Sequence, residues 1–435
     1  MPRMRSCITI LLLVALSPAC TRDREVRLSG RIEGSDSVIL FHLNDRDARF
    51  RVTNNAFSGK IPLRESTYAY VRLPRRRIFL FLSPGEQLEM TVSRSAPPLF
   101  EGSLAAINDY LAEQGEYLPF NQGLFQQGEE TFVKEINELL RVRTLLLEAK
   151  NLGHEFTRLE RERLGYSAAE HAVRYAMLTR SRLPDSTRGD YQASNSLREF
   201  IARFPVDNEK LTNVSTFLRF ALSYYSFEIE RSGNIRGVTV DIIQHVKTRK
   251  IKEHLLSELV FRHIYTHGMQ DGEYLLSLCR QEIKDSARIT RVERAAERWR
   301  RLSAGTTAPD ITLRAPDGIN TRLQEMRGSY LYVVAGDARD SAWQPDPVAL
   351  QSLKRRYAGK NIRFLHLVFD PSLTTIRRDE HAEKNEEWEH FLILNWREFH
   401  ASYVISSLPR YFFIDPHGRF VTALASSPAR STRAY

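Results

Sequence analysis

At 435 residues the chain is long enough for about two to four domains, and 42% hydrophobic and 10% aromatic content is ordinary for globular protein. The formal net charge is +10, of which Arg3 and Arg5 supply two. The remaining base is scattered through Arg75-Arg76-Arg77, Lys247 to Lys252, Arg298 to Arg301 and Lys354-Arg355-Arg356, with acidic residues near most clusters. A nucleic-acid partner is therefore not expected, because such a binder concentrates base on one face.

Met1 to Arg5 is a short basic region, and Cys7 to Leu16 is an apolar run too short to span a bilayer. Ser17-Pro18-Ala19 follows, then Cys20. This is the form of an export signal with small residues before the cut. Residues 1–19 are read as a signal peptide and 20–24 as a tether whose lipidated Cys20 holds the chain to a membrane. Leu16 lies four residues before Cys20, one more than usual, so ordinary secretion to the periplasm is the alternative. Cys7 leaves with the leader and Cys20 is acylated on this reading, so Cys279 is the only remaining thiol and no internal disulfide can form.

Residues 25–103 read as seven short strands: "VRLSGRI", "SVILFHL", "ARFRVT", "AFSGKIPL", "TYAYVRL", "RIFLFL" and "QLEMTV", with turn residues between them. That spacing predicts a small antiparallel β-sandwich. From 104 to 304 the pattern is helical: Phe132, Val133, Ile136, Leu139 and Leu140 recur at helical spacing, as do Leu218, Phe220, Ala221 and Leu222. No internal repeat occurs.

From 305 to 435 the pattern is α/β. "DITLRAPDG" gives two extended pieces around Pro316-Asp317-Gly318, and "YLYVVA" is a strand. A helix is expected over 346–358, with Asp346-Pro347 as its cap and first residue. "IRFLHLVFD" is apolar on both faces, which suits a central strand. Residues 372–392 are charged and predict a helix. "LPRYFFIDPHGRFVTAL" gives two strands around Asp415-Pro416-His417-Gly418. The tail "ASSPARSTRAY" is polar and basic and is expected to be disordered. The fold class is thus multidomain α+β: a β-sandwich, a helical middle and a C-terminal α/β domain.

The C-terminal third resembles the TlpA/ResA type of thioredoxin-like domain over about 305–425. Ala308-Pro309-Asp310, Asp317-Gly318 and Met326-Arg327-Gly328 look like that family's opening, and "SSLPRYFFIDPHGRFV" like its close. Residues 25–103 resemble the small β-domain of unknown function that precedes thioredoxin modules in Bacteroidetes-type lipoproteins. The resemblance implies a thioredoxin fold in a Gram-negative cell envelope, periplasmic or outer-membrane, with a cis-proline at Pro409 beside a groove for extended polypeptide. Leu408, Pro409 and Arg410 would line that groove.

At one place the sequence departs from the family. The Cys-x-x-Cys pair would fall on Asp340 and Trp343, giving Asp340-Ser341-Ala342-Trp343, and no cysteine occurs from 280 to 435. Thiol–disulfide exchange needs a thiolate attacker and a resolving thiol, and neither Asp340 nor Ser341 supplies one. Asp340 would instead cap a helix. Asp337 and Asp340 could form an acidic site, although two carboxylates in one loop are more often a solvated turn. The expected role is binding or scaffolding of a protein or peptide partner without catalysis or a cofactor. The competing class is an oxidoreductase acting through an atypical site or Cys279.

The other candidates have plainer readings. Cys279, in "EYLLSLCRQEI", has the pattern of a buried helical cysteine. His263 and His267 share a helix face at a spacing that can bind metal, but no third ligand is evident, so no metal is expected. No phosphate-cradling loop or nucleophile elbow occurs.

Overall fold

The computed structural model describes residues 25–34, 37–43, 46–73, 77–93, 95–116, 118, 122–337, 355, 357, 359–369 and 388–427. The chain divides into two compact units, Met1–Ser223 and Tyr224–Tyr435.

In the first unit the alternation read from the sequence produces half-buried strands. In β1 (Glu25–Ile32), Val26, Leu28 and Ile32 point inward and their neighbours outward. The strands β2 (Val38–His42), β3 (Asp47–Arg51), β4 (Ala56–Pro62), β5 (Thr67–Arg72), β6 (Arg77–Leu82) and β7 (Gln87–Val92) follow, with a short β8 (Leu99–Glu101) beyond the seven expected. They form two four-stranded sheets, ordered β4-β1-β7-β8 and β3-β2-β5-β6. Phe57 of β4 meets Phe41 and Phe50 of the other sheet at ring separations of 5.7 and 5.9 Å. One expectation needs correction: β1 and β7 pair in parallel, so the sandwich is not wholly antiparallel. The side-chain alternation of a strand is the same in either direction, so it cannot reveal which direction the partner runs.

At β1 and β7 the backbones come unusually close. Gly30 has φ +156°, and a Cβ built on it would lie 1.9 Å from the Met90 carbonyl oxygen. No residue with a side chain fits there.

In β5 and β6 the burial is nearly continuous because helices cover the outer face. The helices are α1 (Ala105–Gln114), α2 (Glu129–Ala149), α3 (His154–Ser181), α4 (Asp185–Arg188), α5 (Asn195–Ala202) and α6 (Ser215–Ser232), the last spanning the division between the units. Phe156 of α3 packs edge-on against Phe81 at 5.0 Å. Strand β6 is the sheet's edge. Its Phe81 N–H donates to Asn108 Oδ1 at 2.8 Å, and Asn108 Nδ2 donates to the Phe81 carbonyl at 3.1 Å. The buried amide of α1 thus takes the place of a further strand.

An ion pair lies at the centre of this unit. Arg163 Nε and Nη2 donate to the two Glu160 oxygens at 2.7 Å each. Tyr68 of β5 donates to Glu160 Oε2 at 2.7 Å, and Arg163 also reaches the Glu116 carbonyl. Glu160 and Arg163 are 0% and 1% exposed. Burial and then the Glu160 charge hold the Tyr68 hydroxyl well above its usual range. Burial alone would pull the Arg163 guanidinium down, but Glu160 outweighs it and the group is held above its ordinary value.

In the second unit a run of helices precedes a sheet. The helices are α7 (Ile235–His245), α8 (Arg249–His267), α9 (Gly272–Glu282) and α10 (Ser286–Arg300). Asp285 caps α10 through the N–H groups of Ala287 and Arg288. The strands are β9 (Thr312–Arg314), β10 (Asn320–Arg322), β11 (Tyr330–Asp337), β12 (Ile362–Phe369), β13 (Glu389–Ile393), β14 (Arg410–Ile414) and β15 (Phe420–Thr422). Their order is β10-β9-β13-β12-β11-β14-β15. Strands β11, β12 and β13 are mutually parallel and the outer pairs antiparallel. The strands expected at 330–335, 362–370 and on both sides of the Asp415–Gly418 turn are present.

Two expectations differ from the structure. The helix expected over 372–392 does not extend to its end, because Glu389–Ile393 is a strand. His390, Phe391 and Leu392 pair with β12, and Leu392 and Ile393 with β9. The short α11 (Trp396–Ser402) follows it. The tail is not free from its first residue either. Ala425 N–H bonds to the Tyr411 carbonyl at 3.0 Å, and Tyr332 Oη donates to the Ser426 carbonyl at 2.6 Å.

Candidate functional site

The two flanking signatures fold together at one end of the sheet. Ala308 N–H donates to the Gly418 carbonyl at 2.9 Å, and Gly328 N–H to the Pro416 carbonyl at 2.8 Å. Asp310 pairs with Arg322, and the buried Tyr403 donates to the Pro309 carbonyl at 2.6 Å. These residues hold the sheet's frame.

The other end holds Leu408 and Pro409. Their peptide bond is cis, as the resemblance implies. In the register of β11 with β14, Arg410 lies opposite Ala335. Pro409 therefore stands level with Gly336, where β11 runs out. In an open α/β sheet the crevice beyond the carboxyl ends of the parallel strands is the usual place for a ligand. Asp340, Ser341, Ala342 and Trp343, with the helix expected over 346–358, lie outside the described residues apart from Arg355 and Tyr357, as does Cys20.

Leu408 and Pro409 are half-buried. Arg410 is turned inward and is 6% exposed, so it supports the loop instead of lining a groove. Its Nη2 donates to the Val404 carbonyl at 3.2 Å and to Ser406 Oγ at 2.8 Å, and its guanidinium lies 5.4 Å from the Trp299 ring. Among the described residues no carboxylate pairs with it. Burial pulls its pKa down to about 10, so it stays charged at neutral pH. Val404 has φ +49°, a left-handed conformation that is strained for a β-branched residue.

Cys279 is fully buried among Leu275, Leu276 and Leu256, and burial pushes its thiol up to about 12. His263 and His267 stack at 4.8 Å, and His263 Nε2 meets the Gln270 carbonyl at 2.8 Å. Among the described residues no group of three or more acidic, histidine or cysteine side chains is placed to hold a metal. No helix among the described residues is long and apolar enough to cross a membrane.

A buried histidine pair went unnoticed in the sequence. His366 of β12 and His390 of β13 are register partners, with Nδ1 atoms 3.0 Å apart. Two nitrogens at that distance share one proton, so one ring donates and the other accepts. A histidine inside each of the apolar runs "IRFLHLVF" and "EHFLI" was the available signal.

On α8, His254 Nδ1 accepts from Arg288 Nη1 at 3.1 Å. Burial, then the Arg288 charge, pulls its pKa from 6.5 to about 4. The folded state therefore refuses a proton that the unfolded chain accepts. Stability is unaffected above 6.5 and falls as pH drops towards about 4, by about 3 kcal/mol at most from this group. Urea midpoints should decline across that window and decline less in His254→Gln. An equal decline in both would assign the acid sensitivity elsewhere.

No family model matches the chain, and no curated protein matches it. Solved structures similar to part of it include a putative thiol-disulfide oxidoreductase from Bacteroides vulgatus, 22% identical with a TM-score of 0.26, covering 30% of this chain and 93% of that one. The thioredoxin domain of a second thiol-disulfide oxidoreductase from Bacteroides vulgatus is 24% identical with a TM-score of 0.24, covering 28% and 87%. A thioredoxin-like protein from Bacteroides caccae is 13% identical with a TM-score of 0.34, covering 61% and 91%.

Proposed function

We propose that the C-terminal residues form a thioredoxin-like domain that binds polypeptide and carries out no thiol–disulfide exchange. The observation that carries this is the state of the thiols. After residue 279 the sequence has no cysteine, and Cys279 is buried with its thiol raised to about 12. A nucleophilic thiolate needs exposure and a lowered pKa, and Cys279 has neither. The parallel β11–β12–β13 core and the position of Pro409 beside the end of β11 support a binding surface there. Leu408 and Pro409 would form it.

The purified chain is expected to reduce insulin disulfides no faster than buffer, and Cys279→Ser is expected to match it. A thiol reagent should label Cys279 only after unfolding. Robust reduction that disappears in Cys279→Ser would establish the oxidoreductase instead. A photo-crosslinking side chain placed at Leu408 should capture polypeptide from an envelope fraction, and failure to do so while the chain is folded would overturn the groove. The reading includes an envelope protein anchored through lipid on Cys20. Cys20→Ser should then leave the membrane fraction, and unchanged fractionation would argue against the anchor.

A further inference from the structure

The second unit contains a groove of about 640 Å³ between α8 and α10, closed at one side by Val404. That size falls within the usual range for a ligand pocket. Its floor is aromatic: Phe261 and Tyr265 are half-buried and stack at 5.7 Å with 14° between planes. Tyr265 Oη is fixed by donating to the Ile405 carbonyl at 3.3 Å.

Its rim is cationic. Arg291, Arg294 and Arg298 share one face of α10, and among the described residues no carboxylate lines the groove. Arg291 lies 4.0 Å over the Phe261 ring and is engaged by Glu258. Arg294 and Arg298 are exposed and make no ion pair among the described residues. Arg410 adds a charge from behind, because its bond to the Val404 carbonyl places it against the closing wall. The strained backbone of Val404 is held by that bond.

We propose that this groove binds an extended acidic segment of another polypeptide that carries an aromatic or large aliphatic side chain. The cations run along α10 and not around a point. From Ser286 to Arg298 the helix rises about 18 Å, a length that an extended strand covers in about five or six residues. Carboxylates would meet Arg294 and Arg298, whose planar guanidinium groups suit bidentate pairing. An apolar side chain would lie on Phe261 and Tyr265. Thr290 and Ser286 offer hydroxyls to a peptide backbone. A flat membrane surface could reach the rim but not the aromatic floor. This site is distinct from the surface at Leu408 and does not depend on it.

The test is fluorescence anisotropy with a labelled short peptide of alternating glutamate and alanine around a central phenylalanine. The whole chain should bind it, and binding should weaken as salt rises. The double variant R294E/R298E should weaken binding roughly tenfold and gain affinity for the same peptide with lysine in place of glutamate. F261A should weaken binding of the phenylalanine peptide but not of a peptide with serine at that place. Both arginines are exposed, so the double variant should fold, which its circular dichroism checks. Three results would overturn the proposal: binding unaffected by R294E/R298E, binding equally displaced by inorganic phosphate, or binding only to phosphatidylglycerol vesicles. Binding that survives R294E/R298E but is lost in L408D would assign the peptide to the Pro409 surface instead.

Discussion

Glu160→Ala is expected to destabilise the first unit by about 3–5 kcal/mol. The residue is fully buried and accepts three hydrogen bonds, two from Arg163 and one from Tyr68. Its removal leaves the Arg163 guanidinium away from water, beside the Glu116 carbonyl and the faces of Phe79 and Tyr68. The loss measures an abandoned charge, not the net worth of the pair, because bringing both ions out of water is itself costly. A second variant separates the two quantities. Glu160→Leu combined with Arg163→Met removes both charges and keeps the volume, and should recover most of the stability. Equilibrium unfolding in urea reads both. A cost below about 1 kcal/mol for Glu160→Ala would mean that water or another group compensates Arg163.

Gly30→Ala is expected to cost at least as much, for a different reason. The added methyl would meet the Met90 carbonyl oxygen at 1.9 Å, its carbon at 2.8 Å and the Met90 nitrogen at 2.9 Å. All three are backbone atoms, so no rotamer change relieves the overlap. The chain can accommodate the methyl only by parting β1 from β7, and β1 is an interior strand of its sheet. A loss above about 4 kcal/mol, or failure to accumulate folded protein, is the expected result. Gly189→Ala is the control. Its φ of −66° is one that alanine adopts freely, and nothing lies within 4 Å of the added methyl. That change should be neutral or slightly stabilising. A mild effect at Gly30 would show that the two strands do not approach as closely as described.

Strands such as β1 and β7 were legible because one face of each is wet, so burial appears as alternation. β12 was legible for the opposite reason: buried on both faces along most of its length, it is mostly apolar. The parallel pairing of β1 with β7 left no trace, since alternation does not record strand direction. β13 was hidden because its five residues follow a long charged run, and only its place between β12 and β9 makes it a strand. At the candidate site, Cys279 could be read directly from its leucine neighbours. The inward turn of Arg410 could not, because a lone arginine after a proline reads as surface until Val404, Ser406 and Trp299 are seen around it. The groove was hidden in the same way. The base along α10 has the pattern of a solvated helix face until Phe261 and Tyr265 are placed beside it.

Asn108 bears on assembly as well as stability. An edge strand with open N–H and C=O groups can template another chain, and repeated addition of that kind leads to aggregates. In β6 the side-chain amide of Asn108 occupies the donor and acceptor of Phe81 from within the same molecule. It works as a chain terminator for the sheet. Because β6 is strongly apolar, its open edge would invite association, and the amide keeps that edge from recruiting a neighbour at high local concentration.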